Sequence, residues 1–79
     1  MKVVFHSHTG DEPKLLGTWS LGPGNRALCD SPRLERLVSD ASPLVVTGGL
    51  VSAENGVAFL RALPLNFSGS ALRATLYEN

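Results

Sequence analysis

"KVVFHSHTGDEPKLLGTWSL", residues 2–21, decides what kind of fold this chain forms. Its first part alternates with the period of a β-strand. Val3, Phe5 and Ser7 share one face, and Lys2, Val4, His6 and His8 share the other. "TGDEP", residues 9–13, reads as a turn, since Gly10 tolerates any backbone conformation and Pro13 stops ladder pairing. "KLLGTWSL", residues 14–21, resumes the strand pattern with Leu15, Trp19 and Leu21 on one face. Gly17 between them marks a bulge or a close backbone approach.

Outward from this stretch, "GPGN" at 22–25 is a turn, and "RALCD" at 26–30 runs back as a hairpin partner. A helix follows. Asp30 or Ser31 caps it, and Pro32 suits its first position, where a missing N–H costs nothing. Leu34, Leu37, Val38 and Ala41 then recur as an apolar stripe, until Pro43 ends it. "PLVVTGGLV", residues 43–51, reads as a buried strand running into a turn. Ser52 caps a second helix, with Glu54 in its first turn, a stripe of Val57, Leu60 and Leu63, and Phe59 beside it. Gly56 costs that helix up to about 1 kcal/mol relative to alanine, and Pro64 terminates it. "ALRATLYE", residues 71–78, closes as a strand with Leu72, Ala74 and Leu76 inward and Arg73, Thr75 and Tyr77 outward. The expected fold is a small two-layer α+β domain in the order β-β-β-α-β-α-β. Two helices cover one face of a mixed sheet of about four to five strands.

Seventy-nine residues make one domain. A chain of this size buries only about 60% of the surface its unfolded form exposes, which favours self-association. Seven basic and seven acidic side chains cancel. A nucleic-acid partner, which draws affinity from neutralised phosphates, is therefore disfavoured unless folding gathers a local patch. Cys29 is the single cysteine, so no intrachain disulfide forms. The sequence shows neither a signal peptide nor an apolar run of the roughly 20 residues that cross a bilayer. A cytoplasmic protein without a membrane partner is expected.

His6 and His8, at i and i+2 of a strand, point to the same side and can approach one metal ion. Such a strand-end His-x-His resembles the first metal motif of the amidohydrolases and related phosphoesterases. The likeness covers three residues, and those enzymes draw their other ligands from later strands of a much longer barrel. This chain has no further histidine and no length for that barrel, so the family is set aside. A smaller zinc site remains, with Asp11, Glu12 or Cys29 as a third ligand, or with two histidine pairs meeting in a symmetric dimer. The plainer reading is the solvent face of a half-buried strand.

Ser7 points away from both imidazoles, and Cys29 sits between Leu28 and Asp30 as a small hydrophobe, so neither makes a complete nucleophile. "TGGLVSAENG", 47–56, places glycines before a helix but lacks the spacing of a phosphate or dinucleotide loop. No catalytic residue or resident cofactor is expected. "LPLNFSGS", 63–70, sets Leu65 and Phe67 in a loop; with Trp19 and Tyr77 they are candidates for a partner surface or for closing the core. The leading expectation is a domain that acts by association, as a homodimer or with a protein partner. A metal role for His6, His8 and Asp11 comes second, and a small nucleic-acid-binding regulator third.

Overall fold

The computed structural model describes residues 1–8, 10–41, 55–67 and 71–78. Strands β1 (Lys2–Ser7), β2 (Lys14–Gly22), β3 (Arg26–Cys29) and β4 (Leu72–Tyr77) form one sheet in the order β3-β2-β1-β4. Every pairing among them is antiparallel, so the sheet is not mixed over the described strands. The strand expected at 43–51 lies outside the described residues. The two helices, α1 (Pro32–Ala41) and α2 (Gly56–Asn66), contribute to a single core on one face, and the class is α+β as expected.

β1 is central, and its inward face is the most deeply buried. Val3 and Phe5 are fully buried and pair with Trp19 and Gly17 on one side and with Leu76 and Ala74 on the other. From α1 come Leu34 and Val38, and from α2 come Phe59, Leu60 and Leu63. Four rings link these layers. Phe67 meets Phe5 edge-on at 5.3 Å, Phe5 lies 6.1 Å from Trp19, and Trp19 lies 5.4 Å from Phe59. Such tilted contacts set the positive edge of one ring toward the negative face of the next.

The register slips between Phe5 and His6: Phe5 faces Gly17, but His6 faces Leu15. The bulge therefore falls at Leu16, one residue from the expected glycine. Its effect is to reverse the face of everything before it. Leu15, expected inward beside Trp19, is 67% exposed, while Lys14 pairs with the inward-facing Ser7. Gly17 is the close approach. A Cβ there would lie 2.9 Å from Leu34 Cδ2 and 3.1 Å from Ser31 Cβ, so α1 rests directly on the strand backbone.

The start of α1 is as read from sequence. Ser31 Oγ accepts the Leu34 N–H at 3.2 Å, satisfying one of the donors that a helix start leaves unpaired. Asp30 extends the ladder beyond β3, since its carboxylate accepts the Thr18 N–H at 2.8 Å and its own N–H bonds the Thr18 carbonyl. Leu37 departs from the expected stripe and lies at the edge, 39% exposed.

α2 is capped from elsewhere in the chain. The hairpin turn between β2 and β3 places Gly24 at φ 72° and Asn25 at φ 59°, the left-handed region that glycine and asparagine tolerate best. So turned, the Asn25 carbonyl accepts the Gly56 N–H at 2.7 Å and its side-chain oxygen accepts the Val57 N–H at 3.2 Å. Ser52, the expected cap, lies outside the described residues, and α2 begins at Gly56. Nor does Pro64 end the helix, which continues to Asn66. Proline in the last turn forfeits one backbone bond, and the turn is completed by Phe67 N–H to the Leu63 carbonyl and by the Asn66 amide to the Ala62 carbonyl.

Candidate functional site: the outer face of the sheet

Because both helices pack on the Val3 and Phe5 side, no described element covers the opposite face. Strand alternation and register place its residues. β1 contributes Lys2, Val4 and His6; β4 contributes Tyr77, Thr75 and Arg73 opposite them. β2 contributes Ser20 and Thr18 and, after the bulge, Leu15. β3 adds Arg26 and Leu28, which alternate with the buried Ala27.

The chain is neutral in total, yet this face is not. Lys2, Arg26 and Arg73 lie on it, and none of its described strand residues is a carboxylate. Other described acids stand elsewhere, with Asp11 and Glu12 in the loop after β1, Glu35 and Asp40 on α1, and Glu78 paired with Arg61 at 3.8 Å; Asp30, beside Thr18 at the sheet edge, has its carboxylate engaged by the Thr18 N–H. Exposed apolar groups share the face: Leu28, 53% accessible, on the β3 edge, Tyr77, 46%, on the β4 edge, and Leu15 in the row of His6 and Arg73. The Lys2 ammonium lies 5.7 Å from the centre of the Tyr77 ring, its cross-strand neighbour.

The expected metal ligands are placed as follows. His6 is half-buried on this face, opposite Arg73 and Leu15. His8 is exposed just beyond β1, anchored by its N–H to the Ala71 carbonyl at 2.8 Å. The two imidazole centres are 6.5 Å apart. Two histidines on one tetrahedral zinc, with Zn–N near 2 Å, would stand about 5 Å apart, so both rings would have to turn. Asp11 is exposed in the following loop, and no group of three His, Cys, Asp or Glu side chains gathers among the described residues.

The expected partner residues separate into two pairs. Trp19 and Phe67 are only 3% exposed, so their side chains close the core and present nothing to a partner. Phe67 is drawn in by Phe5, which the sequence distance between them conceals. Tyr77 is on the outer sheet face and Leu65 is 83% exposed at the end of α2; the two do not converge. Leu28 was legible as outward from the alternation with Ala27, whereas Leu15 was not, because the bulge reverses it. Burial pushes the Cys29 thiol up, and the Asp30 and Glu35 carboxylates act in the same direction. Its Sγ donates to the Ser31 carbonyl at 3.2 Å, which makes it a packed thiol and not an activated thiolate.

No helix among the described residues is long and apolar enough to cross a membrane. Compared with protein families, curated proteins and solved structures, this chain matches none.

Proposed function

We propose that this chain is an association module whose outer sheet face docks a protein partner presenting carboxylates interspersed with apolar side chains. One observation carries the reading: Leu15, Leu28 and Tyr77 stand exposed on one face with Lys2, Arg26 and Arg73, and none of its described strand residues is a carboxylate. The exposed apolar side chains supply affinity when a partner covers them, and the charges among them select the partner and speed its approach. A small chain with a thin core gains further stability when a partner covers that face.

The charge pattern also chooses between partners. A second copy meeting this face would bring like charges together, which disfavours a homodimer here. Single-stranded nucleic acid wants open aromatic platforms, and of the rings on the described face Tyr77 is engaged by Lys2 and the His6 imidazole is half-buried. Exposed leucines suit a protein better. The partly buried lone thiol of Cys29 fits a reducing, cytoplasmic setting.

Native mass spectrometry of the untagged protein, isolated from cells at native abundance, tests this. The wild type is expected in a complex with a second protein, and Leu28→Glu or Arg73→Glu is expected to release a folded monomer. Both positions are exposed, so neither substitution should unfold the chain. A wild type that is always monomeric, or a complex indifferent to both substitutions, would refute the proposal.

A further inference from the structure

The helix-bearing side of the sheet ends in a hollow of about 540 Å³, within the range of small-molecule sites. Its floor is a cross-strand row in which Ser7 of β1 pairs with Leu72 of β4 and Lys14 of β2. α1 forms a wall with Arg33, Leu34 and Leu37, and Leu15 and Leu16 at the bulge complete the apolar lining, Leu15 at its exposed rim. The bulge creates this composition. By turning Leu15 out it brings Lys14 round to the helix side, where Arg33 also stands.

The lining therefore has leucines on its walls and two cations, with no carboxylate among the described residues that form it. The one ion pair among the described residues, Arg61 with Glu78, involves neither cation. Both charged side chains keep contact with water. An anion entering beside leucines would gain two charge-assisted contacts and bury its apolar part at once.

We propose that this hollow binds an amphiphilic monocarboxylate, with its aliphatic tail against Leu16, Leu34, Leu37 and Leu72 and its carboxylate between Lys14 and Arg33. The ligand class follows from the lining. A purely polar anion would leave the leucines wet, and an uncharged hydrocarbon would leave the cations unused. The hollow opens beside α1 and meets the outer face only at Leu15, so binding centred on Ser7, Leu34 and Leu72 is tested independently of the outer face.

Decanoate, kept below its micelle concentration, is the probe, followed by amide chemical shifts of the whole chain. Saturable one-to-one binding is expected, with shifts centred on Ser7, Leu16, Leu34 and Leu72. The double variant Lys14→Gln/Arg33→Gln should weaken binding by about tenfold or more, the scale of losing charge-assisted contacts. Both side chains are exposed, and an unchanged spectrum of the free variant verifies its fold. Decylammonium, with the same tail and the opposite charge, should bind at least about tenfold more weakly than decanoate. Equal binding of the two probes, equal binding to the variant, shifts centred on the outer face, or no saturation would each overturn the proposal. So would displacement of decanoate by a far tighter leucine-terminated peptide, which would assign the hollow to a protein chain end.

Discussion

Replacing Gly56 with alanine should destabilise this protein, although alanine is the better helix former by about 1 kcal/mol. The reason lies across the chain. A Cβ at Gly56 would sit 2.8 Å from the Asn25 carbonyl oxygen and 3.0 Å from the Ala27 nitrogen, both backbone atoms of the β2–β3 hairpin. The third neighbour, Leu21 Cδ1 at 2.7 Å, can rotate away, but the backbone can yield only if the helix lifts off. Overpacking of this kind costs about 1–3 kcal/mol. Lifting the helix also stretches the two bonds from Asn25 that cap it, worth about 1 kcal/mol each. Against the propensity gain the net loss is about 2 kcal/mol, or about 8–16 °C in Tm at this chain length. The assay is urea and thermal unfolding followed by the fluorescence of Trp19, which is buried beside Phe59 of the same helix. Gly10→Ala serves as the control, because nothing lies within 4 Å of a Cβ there, and its stability should stay within about 0.5 kcal/mol. A Gly56→Ala protein as stable as the wild type, or more so, would refute the claim that the hairpin packs against and caps α2.

Further outcomes follow from other parts of the fold. Phe67→Ala should cost about 3–5 kcal/mol and leave little folded protein, as fits a ring in the core; a folded variant that merely lost a partner would contradict its burial. Because the Cys29 thiol is raised in the folded state, its protonated form favours folding at neutral pH. That contribution should be lost as pH rises through the ordinary thiol range toward the higher folded value, and Cys29→Ala should flatten this alkaline decline; identical alkaline unfolding of the two proteins would contradict it. With the imidazole centres of His6 and His8 at 6.5 Å, zinc or a chelator should move Tm by less than about 2 °C; a larger zinc-dependent rise, abolished by His8→Ala, would establish a metal site.

Much of the architecture is legible in the chain itself because it rests on local periodicity. Alternation over Lys2–Ser7 and Leu72–Tyr77 assigns two strands and their inward faces, since a strand with one buried side admits only one arrangement. Ser31 and Pro32 announce α1, because a helix start always leaves donors that such residues satisfy or do without. The outer sheet face was only partly legible. Its apolar members Leu28 and Tyr77 follow from alternation, but its charge does not, since a neutral total conceals which side chains share a side.

What tertiary structure alone decides are the places where distant segments compete for the same backbone. The bulge at Leu16 sends Leu15 outward and Lys14 inward, and thereby shapes both the outer sheet face and the hollow, yet its own residue type gives no sign of it. Gly56 looks like a flaw in a helix until the hairpin is seen resting on it, and Asn25 looks like turn chemistry until it is seen capping α2. Phe67 reads as a loop residue, and Phe5 takes it into the core. Periodicity and capping are properties of neighbours along the chain and can be read there. Close approach, register and the sidedness of charge are properties of neighbours in space, and they exist only once the layers have packed.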